Sequence, residues 1–458
     1  MPRPILTAGE MRNAEAEVIA GGVSVETLMN RAGTLAAEAV RRFAGPVPTL
    51  VLCGPGNNGG DGYVIARILR DRGAKVQVAA LGEPQSEAAK AARAAWNGEV
   101  EPLQSAAAAP LLVDSLFGTG LRRGLDEAAS AALLRLAAKA RVRVAVDMPS
   151  GVSTDDGAIL SPIPDYDLTV TFGSLKPCHL LQPAARHMGR IVVADIGVAA
   201  DSGLHEVGRP ELAAPGADDH KYTRGYVAVV AGEMPGAAAL AASAAARAGA
   251  GYVRLLADGP VAAVPHAVVQ GADSTVDDRV GAVALGPGLG RSAAATQLFE
   301  RMLRTPKPLV LDADALHLLG QAGPERLRPL PQPPILTPHA GEFARMFGTL
   351  AGSKVEQARA AAERARAVVV FKGADTVVAA PDGRAAIAPP ASAWLATAGT
   401  GDVLTGIIAA MRARGLEPFE AACAGVWLHE RAAALAGPGL IADDLLQHLP
   451  AALAQCSE

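Results

Sequence analysis

The feature that most constrains this chain is an alternation of short apolar runs with helical patterns. In the first half, six runs are predicted to be strands, at residues 49–53, 75–80, 111–114, 142–147, 168–172 and 191–195. Strands that alternate with helices favour a parallel sheet covered by helices on both faces. A helix is predicted to begin after Ser24, a good N-cap residue, and to run to about Phe43. The first half is therefore predicted to be an α/β domain.

The second half starts the same alternation again. Residues 199–219 are rich in Ala, Gly, Pro and charged residues and have little periodicity, so we place a domain boundary near 205–218. Further strands are predicted at 226–231, 252–257, 282–285, 308–312, 335–337 and 367–371. The turn at 380–384 predicts a hairpin between 377–378 and 385–388. With 458 residues, two domains are expected, at 1–210 and 215–458.

Composition excludes several classes of function. A formal net charge of −4 provides no basic field for nucleic acid. The four cysteines lie far apart without a C-x-x-C pair, which fits neither a disulfide framework nor a zinc site and favours a reducing compartment. The longest uncharged run, between Arg384 and Asp402, is broken by two prolines and is no membrane span. We expect a cytoplasmic protein without nucleic-acid or membrane partners.

The stretch A-G-T-G-D-V-L-T-G at 398–406 is the most suggestive motif. A helix is predicted from Val403 to Arg414, so this glycine-rich turn would bring unpaired N–H groups and the positive end of the helix dipole to one point. Such a point binds anions. Asp402 could take a proton from a hydroxyl while the anion is held beside it. The alternative is an ordinary helix cap, for which Asp is common.

Polar residues follow three strands of the first half. They are Asn57–Asp61, then Asp114 with residues 118–124, and then residues 147–151. Each cluster alone is typical of a turn. Because ligands bind beyond the carboxyl ends of parallel strands, three clusters at equivalent places predict a site. A helix is predicted to follow the first cluster, at residues 63–72.

A rival interpretation is an NAD-dependent dehydrogenase. Gly54, Gly56 and Gly59 form G-x-G-x-x-G between a strand and a helix, and Glu83 stands where an acid could bind the ribose. Pro55 within the fingerprint and the Asn-Asn pair after it weaken this reading. The sequence also contains no separate group of residues suited to hydride transfer.

Together, N-N-G-G-D-G, G-T-G-L after the Asp114 strand and V-D-M-P-S-G resemble the YjeF N-terminal domain, the NAD(P)H-hydrate epimerase family, over about residues 5–205. This resemblance implies that Asp147 lies against the nicotinamide ring as the proton-transfer residue, and that Asn58, Asp114 and Ser150 bind potassium. Oxygen ligands do suit a hard cation. Lys176 follows a strand and could contact substrate, but a solvated surface lysine is the expected interpretation. The residues that the resemblance implies to bind the hydrated dinucleotide are Asn57, Asn58, Gly59, Gly60, Asp61, Gly118, Thr119, Gly120, Leu121, Arg122, Arg123, Gly124 and Asp147.

Polar and glycine clusters follow strands in the second half as well. The motifs are A-G-E-M-P-G-A-A at 231–238, G-P-G-L-G at 286–290, D-A-D-A-L at 312–316, T-P-H-A-G-E at 337–342 and K-G-A-D-T at 372–376. A lysine, a flexible glycine and a hydroxyl suit a nucleotide phosphate. His339 follows a strand and precedes a helix, where it can meet a ligand, although a lone histidine is usually structural.

With the 398–404 motif, these segments resemble the NAD(P)H-hydrate dehydratase family, a branch of the ribokinase-like fold, over about residues 215–455. The resemblance implies that Asp402 is the catalytic base. Glu233-Met-Pro departs from the more polar turn of relatives and leaves contacts there open. The implied substrate-binding residues are Ala238, Gly288, His339 and Asp402. The implied nucleotide-binding residues are Lys372, Gly373, Ala374, Asp375, Thr376 and Gly401.

Both halves therefore point to the repair of hydrated NAD(P)H. We expect a Rossmann-like three-layer α/β/α domain, followed by a ribokinase-like α/β domain. The first would interconvert the R and S hydrates, by ring opening or through an iminium-like species. The second would dehydrate the S hydrate with ADP and Mg²⁺, releasing AMP and phosphate. A homo-oligomer is expected.

Two alternatives remain at this point. The second domain could be a kinase for a small alcohol, or the first could be a non-catalytic binding module. The presence of Asn58, Asp114 and Asp147 argues against the latter.

Overall fold

The computed structural model describes residues 3–121, 123–272 and 276–456. The chain divides into two compact units, one spanning Arg3–Ser202 and the other beginning at Gly203. Arg122, for which substrate binding was predicted, lies outside the described residues. In the part of the chain that the model describes, no helix is long and apolar enough to cross a bilayer.

The first unit contains a parallel sheet, as predicted, but with seven strands, because the short strand Glu101–Pro102 was not among the six predicted. Its strand order is β3-β2-β1-β4-β5-β6-β7. The strands are β1 (Thr49–Cys53), β2 (Val76–Ala80), β3 (Glu101–Pro102), β4 (Leu111–Ser115), β5 (Val142–Val146), β6 (Leu168–Phe172) and β7 (Arg190–Ala194). The helices are α1 (Ala8–Ala20), α2 (Val25–Ala44), α3 (Asn57–Asp71), α4 (Glu87–Trp96) and α5 (Glu127–Ala137). The chain reverses its direction of progress across the sheet between β1 and β4, the place where such sheets bind ligands.

Helix α3 begins at Asn57, so the prediction that it begins at residue 63 was wrong. The N-N-G-G-D-G motif forms the first turns of α3. Its glycines allow this helix to pack closely, because a side chain at these positions would clash with neighbouring atoms. A Cβ on Gly59 would lie 1.8 Å from the carbonyl oxygen of Gly54, and one on Gly62 would lie 2.0 Å from the Ser115 hydroxyl. The unpaired N–H groups of the helix start therefore lie at the end of β1.

The second unit contains a ten-stranded sheet in the order β11-β10-β9-β12-β13-β14-β15-β16-β17-β8. The strands are β8 (Leu204–Glu206), β9 (Tyr226–Val230), β10 (Tyr252–Leu256), β11 (Val268–Gly271), β12 (Ala282–Leu285), β13 (Leu309–Leu311), β14 (Ile335–Leu336), β15 (Val368–Phe371), β16 (Val377–Ala379) and β17 (Ala385–Ile387). The helices are α6 (Pro235–Arg247), α7 (Ala293–Leu303), α8 (Ala313–Ala322), α9 (Ala340–Phe347), α10 (Lys354–Ala365), α11 (Thr400–Ala413), α12 (Pro418–Ala436) and α13 (Ala442–Ala454).

Pairing in this sheet is mostly parallel, and the predicted hairpin is present. Strands β16 and β17 pair antiparallel across the turn at 380–384. Strand β8 was not predicted. It lies in the aperiodic stretch before the predicted boundary, yet it pairs with β17 and so belongs to the second unit.

Helices α6 and α11 pack together at the centre of the second unit. Alanines at 241, 242, 244 and 245 are fully buried along α6. The small side chains let α11 approach closely enough that a Cβ on Gly406 would lie 2.0 Å from the carbonyl oxygen of Ala241. This contact holds the start of α11, which contains Asp402, against the sheet.

Gly406→Ala should therefore destabilise the second unit. Overpacking of a core contact costs about 1–3 kcal/mol, and the nearest obstacle here is backbone that cannot rotate away. Gly236→Ala in α6 is the matched control, because nothing lies within 4 Å of its added Cβ. Chemical denaturation measures both variants. Equal stability of the two would contradict this packing.

Candidate active sites

The first candidate site is a cavity of about 480 Å³ in the first unit. It is lined by residues of α1 and α2, by the start of α3, by the segment after β4, by Asp147 after β5 and by Lys176 after β6. Of the predicted substrate-binding residues, those that line it are Asn57, Asn58, Asp61, Gly118, Thr119, Gly120 and Asp147.

The three predicted clusters come together in this cavity. The N–H of Thr119 donates a hydrogen bond to Oδ2 of Asp147 at 3.1 Å. A Cβ on Gly118 would lie 2.7 Å from the same oxygen and 3.4 Å from the Asn58 amide. The Asn58 Nδ2 is buried and has no hydrogen-bond partner in the described part of the chain. A buried donor without a partner commonly marks a place where a ligand or water binds.

Other residues that were predicted to bind substrate are packed closely against neighbouring parts of the fold. Gly59 and Gly60 lie inside the first turns of α3 against Gly54 and Met29. A Cβ on Gly124 would lie 2.3 Å from the carbonyl oxygen of Leu160. For these residues, and for Leu121 and Arg123, contact with substrate stays a prediction.

Lys176 is not a solvated surface lysine, so that prediction was wrong. Its side chain is 1 % exposed and its Nζ lies 2.8 Å from Oδ1 of Asp147. The same ammonium donates to the Thr171 hydroxyl at 2.7 Å and to the Phe172 carbonyl at 3.0 Å. A buried ammonium requires such partners. They follow from the way the chain after β6 folds back, which the sequence pattern does not reveal.

The ion pair between Lys176 and Asp147 determines the charge of Asp147. Burial alone would raise the pKa of its carboxyl, but the Lys176 ammonium, aided by hydrogen bonds from Lys176 and Thr171, outweighs burial and lowers the pKa. Asp147 is therefore ionised at neutral pH. A carboxylate that lines a cavity in this state is suited to accept a proton.

The backbone of Asp147 is strained. Its φ of 67° lies in the left-handed region, which costs a non-glycine residue about 1–3 kcal/mol. The N–H of Asp147 donates to the Val170 carbonyl at 2.7 Å, which holds this conformation. Strain of this kind commonly occurs at functional sites, where it aims a side chain.

His179 supports the same residue and was missed by the sequence analysis. Burial, followed by the nearby Lys176 charge, lowers the pKa of His179 to about 4, so the ring is neutral. Its Nδ1 accepts the N–H of Lys176 at 2.8 Å. The proton is thus on Nε2, which donates to the carbonyl oxygen of Asp147 at 2.8 Å. The His179 ring is thus hydrogen-bonded to both members of the ion pair, Lys176 and Asp147.

Asp114 lies fully buried beneath the cavity. Its Oδ1 accepts from the Ser150 hydroxyl at 2.7 Å and from the Leu116 N–H at 3.1 Å. Its Oδ2 accepts from the Ser150 N–H at 3.0 Å and from the Tyr166 hydroxyl. Burial raises the pKa of Asp114 despite these donors. The network positions the segments after β4 and β5 relative to each other.

The second candidate site lies at the start of α11. Gly399, with φ of 87°, is the N-cap, and Asp402 lies in the first turn. Burial, and then the negative charge of Asp312, raise the pKa of Asp402 to about 7. His429 donates from Nε2 to the Thr400 carbonyl at 2.9 Å and so holds the first turn of α11 in place. Asp402 therefore titrates near neutrality, as suits a general base.

A buried network of three side chains lies beside Asp402. Lys372 Nζ is 2.9 Å from Oδ1 of Asp312, and the Thr405 hydroxyl donates to its Oδ2 at 2.8 Å. Burial would lower the pKa of Lys372, but the Asp312 carboxylate outweighs burial and raises it. Lys372 is thus a permanent cation at the anion-binding end of α11. Thr405 could not be recognised from the sequence motif alone.

Gly288 and Ala238, two of the predicted substrate-binding residues of the second unit, are both buried. Gly288 has φ of 63°, and a Cβ there would lie 2.0 Å from the Met234 carbonyl oxygen. Ala238 exposes none of its surface. Its contact with substrate stays a prediction that this packing does not support.

His339 and Asp375 have structural partners. The exposed ring of His339 caps α9, accepting the Gly341 N–H at Nδ1 at 3.0 Å. Asp375 accepts a hydrogen bond from Lys354 at 2.5 Å. Their ligand contacts, and those of Gly373, Ala374, Thr376 and Gly401, stay predictions.

Comparison with known proteins connects both sites to one metabolic task. Residues 25–178 match the model of the YjeF-related protein N-terminus, and residues 227–451 match the model described as NAD(P)H-hydrate dehydratase. A bifunctional NAD(P)H-hydrate repair enzyme of Mycobacterium leprae is 37 % identical over 99 % of both chains. The enzyme of the same name from Escherichia coli is 33 % identical over 98 % of this chain and 94 % of its own.

Among solved structures, an ADP/ATP-dependent NAD(P)H-hydrate dehydratase from Bacillus subtilis, co-crystallised with ATP and Mg²⁺, is 32 % identical. It matches 54 % of this chain and 95 % of its own, with a TM-score of 0.48.

The buried ion pair makes a prediction about stability and pH. In Lys176→Met, Asp147 is left buried without its counter-charge, so its pKa should rise above the unfolded value. The cost should be about 3–5 kcal/mol at pH 7 and much smaller near pH 4, where the carboxyl takes up a proton. Stability of the variant relative to the wild type should thus fall as pH rises through this window, because the folded state binds the extra proton.

Lys139→Met, at an exposed position after α5, is the control. Denaturation at a series of pH values measures all three proteins. A loss for Lys176→Met that does not change with pH would show that Asp147 is not the group that loses its partner.

Proposed function

This chain belongs to the family of bifunctional NAD(P)H-hydrate repair enzymes, and on that premise we propose which residues carry each of its two reactions. It is an NAD(P)H-hydrate epimerase and an NAD(P)H-hydrate dehydratase. The hydrate carries a hydroxyl on C6, beside the ring nitrogen, and exists as R and S epimers. The first unit epimerises it and the second dehydrates the S form.

Epimerisation is assigned to the cavity that contains Asp147. The observation that carries this assignment is the buried Asp147–Lys176 pair, because it keeps a carboxylate ionised where a ligand can reach it. Asp147 accepts the proton of the C6 hydroxyl and later returns it. The start of α3, at Asn57–Asp61, supplies N–H groups and the positive end of a helix dipole for the dinucleotide phosphates.

Potassium is proposed to bind at Asn58, Asp114 and Ser150. The ligands fit a hard cation in kind, because they are carboxylate, hydroxyl and amide oxygens. All four acceptor positions of Asp114 are used by protein donors. A turn of the Ser150 hydroxyl away from Asp114 would free one of them. A bound cation would add positive charge near the dinucleotide phosphates.

Dehydration is assigned to Asp402. The carboxylate takes the proton of the C6 hydroxyl, whose oxygen attacks the terminal phosphoryl group of the nucleotide. Phosphate then leaves from C6 and a proton leaves C5, so that the C5–C6 double bond forms. The N–H groups of residues 399–401 and the Lys372 ammonium stabilise the charge that develops on the phosphoryl oxygens. Support comes from the raised pKa of Asp402 and the permanent cation beside it.

The phosphoryl donor is proposed to be ADP with Mg²⁺. The resemblance of a chain with both domains to the bacterial arrangement of the family implies ADP. The carboxylates nearest Asp402 already have cationic partners, since Asp312 pairs with Lys372 and Asp314 with Arg291. Mg²⁺ would therefore be held mainly by nucleotide phosphates and water.

A cytoplasmic location agrees with four free cysteines, and a homo-oligomer stays a prediction.

Two substitutions should separate the two activities. Asp402→Asn removes proton acceptance with little change in volume, which should slow dehydration by about 10²- to 10⁴-fold while S-hydrate still equilibrates with R-hydrate. Asp147→Asn, supplied with both epimers and ADP, should consume S-hydrate quickly and then stall. Chromatography that separates the epimers measures both. Clearance of R-hydrate at the wild-type rate by Asp147→Asn would refute the assignment of the first site.

The pH dependence of dehydration should report Asp402. Because the base must be ionised, kcat/KM for S-hydrate should rise with pH and reach half its plateau near pH 7, which is the raised pKa of Asp402 in the free enzyme. An unshifted aspartate would give half the plateau near pH 4. A profile that is flat between pH 5 and 8 would show that Asp402 does not act as a base with this raised pKa.

A further inference from the structure

Helix α1 contributes to the first cavity, although the matched family model begins only at residue 25. Met11, Arg12, Glu15 and Ile19 of this helix line the cavity. Residues 11, 15 and 19 are spaced by four and so lie on one face of α1. Glu15 is the one carboxylate that α1 contributes to this lining, and no step described above uses it.

The position of α1 is fixed by the chain next to Lys176. The N–H of Leu6 donates to the Leu175 carbonyl at 2.9 Å, and Ile5 forms a parallel bridge with Leu175. The first N–H of the helix, from Ala8, donates to Asp155 at 2.7 Å. Thr7 closes a capping box with Glu10. Glu15 is therefore held against the cavity by the fold.

Glu15 and Asp147 have opposite electrostatic environments. Burial, and then the negative charge of Asp147, raise the pKa of Glu15, and Lys176 and Arg12 oppose this only in part. The Glu15 carboxyl forms no hydrogen bond with any other described residue. One cavity thus contains a carboxylate that stays ionised and a carboxyl whose pKa lies above its ordinary value. Pairs separated in this way typically divide the roles of base and acid.

We propose that Glu15 is the proton donor that acts with Asp147 in the epimerisation. This inference rests on the proposed placement of that reaction in the first cavity. Asp147 takes the proton of the C6 hydroxyl, C6 becomes a carbonyl, and the bond between C6 and the ring nitrogen breaks. The electron pair of that bond stays on nitrogen, which receives the proton of Glu15. Rotation about the C5–C6 bond then presents the other face of the aldehyde.

Ring closure reverses each transfer. The nitrogen attacks the other face of the carbonyl, its proton returns to Glu15, and the oxygen takes back the proton held by Asp147. Both residues regain their starting protonation after every inversion, and the same enzyme form serves both directions. Loss of water to an iminium species would instead exchange the C6 oxygen with solvent.

The charged groups that face Glu15 are Arg12, Asp61, Asp147 and Lys176. Asp61 is the rival donor, because burial, followed by Asp147 and Glu15, raises its pKa well above the ordinary value. It lies deeper, at 9 % exposure in the second turn of α3. Asp61→Asn therefore belongs in the same experiment.

The test compares Glu15→Gln with Glu17→Gln, an exposed glutamate on the same helix. Conversion of pure S-hydrate to R-hydrate without ADP is followed by chromatography, and ADP-dependent dehydration by the same chain verifies the amount of active protein. Because the donor must carry its proton, kcat/KM of wild-type epimerisation should decline at high pH. Glu15→Gln should slow epimerisation about 10²-fold or more and should remove this decline. Glu17→Gln should change neither. Glu15→Asp, which keeps the acid, should retain the high-pH decline.

The outcomes distinguish an error in the role of Glu15 from an error in the location of the epimerisation site. If Asp147→Asn abolishes epimerisation while Glu15→Gln leaves its rate and pH profile unchanged, the proposed site stands and the role of Glu15 is refuted. A selective loss in Asp61→Asn would assign the donor to Asp61 instead. If Asp147→Asn epimerises normally, the site itself is wrong. Turnover in H₂¹⁸O should leave the C6 oxygen unlabelled, and one solvent oxygen per inversion would overturn ring opening.

Discussion

The structure depends first on a property of parallel sheets, which is that the carboxyl ends of all strands meet at one edge. Helix starts lie at the same edge, so polar side chains, glycine turns and N–H groups from distant parts of the chain gather there. In the first unit this brings Asn58, Gly118 and Asp147 together, and in the second it brings Asp312, Lys372 and Asp402 together. Each unit thus obtains a reaction site from ordinary α/β packing.

The two sites differ in the charged partner that lies next to the buried carboxylate. Asp147 is paired directly with Lys176, and the pair outweighs burial, so its pKa falls. In the second site the lysine is paired with Asp312 instead, and Asp402 keeps a raised pKa of about 7. The first arrangement gives a carboxylate that is always ready to accept a proton. The second gives a carboxyl that titrates near neutral pH, as the proposed role of general base requires.

Most strands and both polar strand-end patterns could be predicted from the sequence, because hydrophobic periodicity and turn residues are local signals. The errors came from tertiary packing. Lys176 was expected at the surface because a single lysine after a strand carries no sign of burial. The start of α3 was misplaced because glycines that usually mark a loop here allow close helix packing. His179 supports its site from a position that no motif marks. Thr405 lies within the 398–406 motif, but its bond to Asp312 depends on the tertiary fold, and β8 forms only by pairing with β17.

The central claim is that two separate sites act in turn on one freely diffusing substrate. Complementation in trans tests it most directly. The Asp147→Asn and Asp402→Asn proteins are mixed, given both hydrate epimers and ADP, and followed until NAD(P)H recovery ends. The account predicts complete recovery by the mixture at a rate limited by the slower of the two enzymes, whereas each variant alone stalls or fails. A mixture that stalls as the Asp147→Asn protein does alone would contradict the division of labour between the two sites.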